Sequence, residues 1–196
     1  STLTIFSFLF FSNDIIAQDC TNDNTPPTVV TQNITVFLDS NGEVTVTPAQ
    51  IDGGTTDDCD LSPSLTISGG TLNCSNIGVN SVELLAFDNN FNSSSDTATV
   101  TVVDNIDPTI TAPAAVSVNV DADACTTDAN NVTLGNATTD DNCNVATVTN
   151  DAPNSFPLGD TTVTWTVTDD AGLTAQATQT VTVVDNINPT VVTQNI

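Results

Sequence analysis

The chain's 196 residues contain no Lys, Arg or His and 24 acidic residues, all but two of them Asp, giving a formal charge of −24. Nucleic-acid binding needs cations to neutralise phosphate, and an anionic membrane surface would repel this chain, so both partner classes are excluded. No salt bridge can form between its side chains. Each carboxylate must be met by a backbone N–H, a polar side chain or a cation from solution. Acidic chains are often disordered, but 38% of the residues are hydrophobic, and Val alternates with Thr, which suits a half-buried strand.

In chain order, the first element is the apolar run Ile5–Phe11, followed by Ile15-Ile16-Ala17-Gln18. It reads as the core and cleavage end of a secretory signal peptide over residues 1–18, too short to span a bilayer as a helix. Residues 19–22 are then a leader, and the mature chain is expected to be secreted or at the cell surface, with no membrane insertion. The alternative is that residues 1–18 are retained and add a strand to a neighbouring copy.

Self-comparison shows an internal repeat. Thr99–Ile106 recurs letter for letter as Thr180–Ile187, a shift of 81 residues, and Pro27–Ile34 recurs as Pro189–Ile196, a shift of 162. The repeats are placed at 23–103 and 104–184, with a third beginning over 185–196. Strand alternation follows in Ile34–Leu38, Val44–Val46, Val82–Ala86 and Val100–Val102, and again in Val116–Val120, Val163–Val167 and Val181–Val183. The 81-residue shift aligns Leu84 with Trp165, so both are expected in a core. Gly53-Gly54, Gly69-Gly70, Asp88-Asn89-Asn90 and Asp170-Ala171-Gly172 mark turns. Short strands at this spacing, without helical periodicity, predict an all-β fold: tandem immunoglobulin-like β-sandwich domains in a linear array.

Two cysteines fall in each repeat. Loop closure within repeats predicts disulfides Cys59–Cys74 and Cys125–Cys143 in an oxidising compartment, leaving Cys20 over. Dispersed thiols and the absence of His argue against zinc. Nucleophilic catalysis has neither a His nor a Lys base to draw on. The adjacent carboxylates Asp57/Asp58 and Asp140/Asp141 resemble a glycosidase pair only in chemistry, with no aromatic platform beside them. The chain is therefore read as a non-enzyme. Calcium is the ligand that oxygen-rich junctions suit: Asp23, Asn24, Asp104, Asn105, Asp107 and Asp185 at the junctions, with Asp88 and Asp169 in the turns, are the candidates. The same residues also make good turns.

The second repeat resembles the HYR (hyalin repeat) family in Asp141-Asn142-Cys143, in Phe156-Pro157-Leu158-Gly159-Asp160-Thr161-Thr162-Val163, and in Trp165-Thr166-Val167-Thr168-Asp169 followed by Ala171-Gly172. The first is similar to a variant found in surface proteins of Bacteroidetes-type bacteria, through Thr56-Asp57-Asp58-Cys59 and Leu72–Gly78, but lacks the Phe-Pro-x-Gly and Ala-Gly turns. The resemblance implies an immunoglobulin-like sandwich in an extracellular protein associated with adhesion. The expected function is a structural or adhesive repeat forming the stalk of a surface adhesin or filament. Its partners would be neighbouring repeats, other copies of itself and a surface ligand. The alternatives are an accessory binding module of a larger secreted enzyme and a self-assembling fibre subunit.

Overall fold

A computed structural model describes residues 20–122, 124–189 and 191; the expected signal peptide lies outside them, as does most of 190–196. The first set of strands comprises β1 (Ile34–Phe37), β2 (Glu43–Thr45), β3 (Ser64–Ser68), β4 (Thr71–Asn73), β5 (Gly78–Phe87) and β6 (Ser93–Val103). They form a four-stranded sheet in the order β1-β6-β5-β3, with β1 parallel to β6, and a separate antiparallel pair β2-β4. The second set comprises β7 (Thr109–Thr111), β8 (Val116–Asn119), β9 (Thr126–Asp128), β10 (Thr138–Asp140), β11 (Val145–Asn150), β12 (Ser155–Pro157), β13 (Gly159–Asp169) and β14 (Thr174–Val184). It repeats the plan: a sheet in the order β11-β13-β14-β8, with β8 parallel to β14, and the pairs β9-β12 and β7-β10.

Alternation along the long hairpins sets the cores. Val82, Leu84 and Ala86 on β5 and Ala98, Val100 and Val102 on β6 are buried, and all but Ala86 join one cluster with Val36, Leu38, Val46, Ile51 and Leu72 from β1 and from the opposing β2-β4 side. Val163 and Trp165 on β13 and Val181 and Val183 on β14 pack with Val120, Val132 and Phe156 in a second cluster. Each core thus lies between a large sheet and smaller strand pairs, which is the sandwich arrangement. Leu84 and Trp165 are both buried, as their alignment predicts. An α-helical turn, Pro48–Ile51, opens with Pro at its start and with Gln50 accepting the Thr47 N–H at 2.8 Å, and it delivers Ile51 to the first core.

Among the aligned positions at which the second core differs, Trp165 and Gln179 stand in place of Leu84 and Ala98. Gln179 is buried, and its polar atoms are satisfied: Nε2 donates to the carbonyls of Ala114 and Leu134, each at 2.8 Å, and Oε1 accepts the Trp165 indole N–H at 3.1 Å. A buried amide is tolerable only when paired in this way.

The cysteine pairing expected within repeats is overturned. Cys74 bonds to Cys143, 69 residues away, with a Cα–Cα distance of 5.5 Å, and Cys125 is free and exposed. Cys59 is disulfide-bonded, to neither Cys74 nor Cys125. Strand polarity supplies the reason. The Cys125 carbonyl accepts the N–H of Leu158, just before β13, whereas Asn144, next to Cys143, bonds Asp170, just after it. The ten residue steps of β13 span roughly 33 Å, far beyond disulfide reach. The first set repeats this geometry, with Cys74 just before β5 and Cys59 grouped with Asp23, which also clusters with Asp57 and with Asp88 just after β5. Cysteines close in sequence therefore lie at opposite ends of a sandwich, while Cys74 and Cys143 meet where the first core ends and the second begins.

Three outcomes follow from this packing. Non-reduced peptide mapping should recover Cys74 joined to Cys143, and a Cys59–Cys74 peptide would contradict the fold. Gln179→Ala should cost about 2–4 kcal/mol by denaturant unfolding, since it strands the Trp165 N–H and two carbonyls; adding Trp165→Leu, which recreates the first core's pair, should cost less than the sum of the singles. Phe91 is 88% exposed and holds φ +66° at the position aligned with Gly172, whose φ is +88°. Because a side chain disfavours that left-handed conformation, Phe91→Gly should raise stability by about 1 kcal/mol, read from the urea midpoint.

Candidate functional site

The inward phase of the long strands continues past the apolar residues. On β13 the buried series Val163, Trp165, Val167 runs on to Asp169; on β5 the series Val82, Leu84, Ala86 runs on to Asp88; and on β6 Ala98, Val100, Val102 runs on to Asp104. Asp88, Asp104 and Asp169 are only 6%, 5% and 2% exposed. Two three-carboxylate clusters result, Asp23/Asp57/Asp88 and Asp104/Asp141/Asp169, in each of which one oxygen per residue lies within 4.8 Å of the others. Their members correspond pairwise between the two sets: Asp23 to Asp104 and Asp88 to Asp169 at a shift of 81, and Asp57 to Asp141 at a shift of 84.

Each carboxylate is held by its own loop. In the second cluster Asp104 Oδ1 accepts the Ile106 N–H, Asp141 Oδ2 accepts those of Cys143 and Asn144 at 2.9 and 3.0 Å, and Asp169 Oδ1 accepts that of Leu173 at 2.7 Å. The second oxygens, Asp104 Oδ2, Asp141 Oδ1 and Asp169 Oδ2, are buried and accept no hydrogen bond, and the same holds for Asn142 Oδ1. Asn142 ties this site to the first core, since its Nδ2 donates to Asp104 Oδ1 at 3.1 Å and to the Asp39 carbonyl at 3.3 Å. The packing here is close: a Cβ on Gly42 would lie 2.5 Å from Cys74 Sγ and 2.6 Å from the Asn142 carbonyl oxygen. Two unit charges at 4.8 Å repel by roughly 3 kcal/mol at an effective dielectric constant of about 20. No cationic side chain exists in the chain to offset that.

The first cluster is satisfied differently. Asp57 Oδ2 accepts the N–H groups of Cys59 and Asp60, matching Asp141, and its Oδ1 is likewise buried and unpartnered. Asp88, however, has both oxygens occupied: Oδ1 by the N–H groups of Asn90 and Asn92, Oδ2 by the Asn92 amide at 2.7 Å. Burial works against the charge of Asp88, but the Asn92 and Asn90 donors outweigh it and hold the carboxyl below its ordinary value. Asn92 stands where the second set has Leu173.

Of the residues named from sequence as metal candidates, Asp23, Asp88, Asp104 and Asp169 are brought into clusters. Asn24 and Asn105 are exposed, and the exposed Asp107 and Asp185 lie outside both; Asp185 Oδ1 accepts the Ile187 N–H at 2.9 Å in a local turn. Asp57, Asp141 and Asn142, named from sequence only as parts of acidic pairs or a family motif and not as metal ligands, are also brought to the clusters. Aligning Asp57-Asp58-Cys59 with Asp141-Asn142-Cys143, at 84 rather than 81, pairs them.

Residues 103–183 match the HYR domain family model. No curated protein matches the chain. Among solved structures, the chain is similar to Drosophila N-cadherin EC1-4, with 14% identity, 82% of this chain and 50% of that one covered, and a TM-score of 0.41. It is similar also to human protocadherin-24 EC1-2, with 11% identity, 84% and 100% covered and a TM-score of 0.41, and to mouse cadherin-23 EC22-24, with 16% identity, 83% and 65% covered and a TM-score of 0.36. The chain spans about half the length of the N-cadherin fragment. The segment that matches the HYR domain model, residues 103–183, is the one that carries the second core and its carboxylate cluster.

Proposed function

We propose that this chain is an extracellular, non-catalytic repeat module that forms the stalk of a cell-surface adhesin or filament, with its own repeats set end to end. The observation that supports this best is the Cys74–Cys143 disulfide. A disulfide within a small sandwich would guard that sandwich alone. This one joins the loop before β5 of the first core to the loop after β10 of the second, where the chain also passes directly from β6 into Asp104. The joint is thus held by the main chain, by sulfur, and by the Asn142 amide on the Asp39 carbonyl. Such a joint resists bending and shields each core end from fraying, which a stalk needs and a soluble catalytic domain does not. A chain without Lys or Arg also offers trypsin-like proteases no cleavage site. The HYR family match over the second core agrees with an adhesion-type module. No helix among the described residues is long and apolar enough to cross a membrane.

Pulling the chain by its ends tests the reading. With the disulfide intact, the segment between Cys74 and Cys143 cannot extend. Cys143→Ser should therefore lengthen the fully unfolded contour by roughly 230 Å, at about 3.4 Å for each of the 69 residues. Small-angle scattering of the same variant should show a broader distribution of maximum dimensions. A joint equally flexible with and without the bond would overturn the stalk reading.

A further inference from the structure

We propose that Asp104, Asp141 and Asp169, with the amide oxygen of Asn142, form a Ca²⁺ site that locks the joint between the two cores. The argument rests on oxygens that the fold buries without satisfying. Asp104 and Asp169 are at least nine-tenths buried, each keeps one buried oxygen with no donor opposite it, and each brings a carboxylate oxygen within 4.8 Å of the other cluster members. Buried acceptors are normally paired, and a chain devoid of cationic side chains cannot supply a counter-charge itself. Each carboxylate has one oxygen fixed by backbone N–H groups and one left over, so the ligand oxygens are pre-oriented. The set is all oxygen, which selects a hard cation. Three carboxylates and an amide from the protein suit Ca²⁺, which takes six to eight such oxygens, better than Mg²⁺, which keeps several of its waters and is not usually held in an all-protein cage. Asp104 closes the first core's last strand, Asp169 ends β13, and Asn142 also holds Asp39 of the first core. A cation here therefore bonds both sides of the joint. In the corresponding first cluster, Asn92 already occupies the second oxygen of Asp88, so the joint is the stronger site.

Trp165, the sole Trp, lies four residues before Asp169 on the same inward face, so its fluorescence reports the second core without interference from the first cluster. Thermal unfolding of the full chain followed at Trp165 should shift upward by several degrees in millimolar CaCl₂, and less in equimolar MgCl₂. Asp169→Asn and Asp104→Asn should each melt higher than the parent in EDTA, because a buried charge is removed. Each should also lose the Ca²⁺-dependent shift, with at least a tenfold loss of affinity by calorimetry, whereas exposed Asp107→Asn should keep both. A Ca²⁺ shift retained in Asp169→Asn and Asp104→Asn, or an equal shift with Mg²⁺, would overturn the site. Binding is read locally at Trp165 and the stalk by extension, so either result can fail while the other stands.

Discussion

A carboxylate that enters this fold has no cationic side chain to meet it, and that constraint shapes how the structure places its acidic residues. The acidic residues that stay near the surface are managed by local turns, in which Asp accepts N–H groups two to four residues ahead, as at Asp39, Asp52 and Asp60. Backbone hydrogen bonds of this kind hold Asp39 below the ordinary carboxyl range, those from Glu43 and Asn41 foremost. The same device fixes Asp104, Asp141 and Asp169, but there it satisfies only half of each group. Apart from Asp57 Oδ1 in the first cluster, the buried unpaired side-chain oxygens among the described residues gather at the joint.

The joint combines two kinds of constraint that act on different states of the chain. The Cys74–Cys143 bond closes a loop of 69 residues, and in the chain-entropy model it acts largely on the unfolded ensemble, by about 4 kcal/mol. The carboxylate cluster acts on the folded state and works against it whenever its charges are uncompensated. Gly42 explains why the two coincide: the backbone of the first core comes so close to Cys74 and Asn142 that no side chain fits there. The second core's first loops are thus seated against the end of the first.

The two cores also show how one plan tolerates different interiors. Leu84 with Ala98 and Trp165 with Gln179 occupy aligned positions in paired strands, the second pair exchanging aliphatic packing for a larger ring and an amide that anchors two loop carbonyls. The larger side chain needs a polar partner for its indole N–H, so the two changes are coupled. Asn92 in place of Leu173 is a comparable exchange, which fills a carboxylate's remaining oxygen with an amide.

Alternation of Val with Thr, read from the sequence alone, determines the long strands, their inward faces and the all-β class, because side chains on a strand alternate with a period of two whatever surrounds them. The repeat, too, is legible in letters, and with it the membership of Asp23, Asp88, Asp104 and Asp169 in equivalent places. The three-residue strands β4, β7, β9, β10 and β12 carry too few residues for periodicity to register, and pairing with a partner defines them. Cysteine pairing was decided by tertiary structure, since nearness along the chain says nothing about which end of an eleven-residue strand a loop occupies. The same holds for Asp141 and Asn142: in the sequence they are one acidic turn among many, and only the approach of the first core's end buries their oxygens and gives them a role.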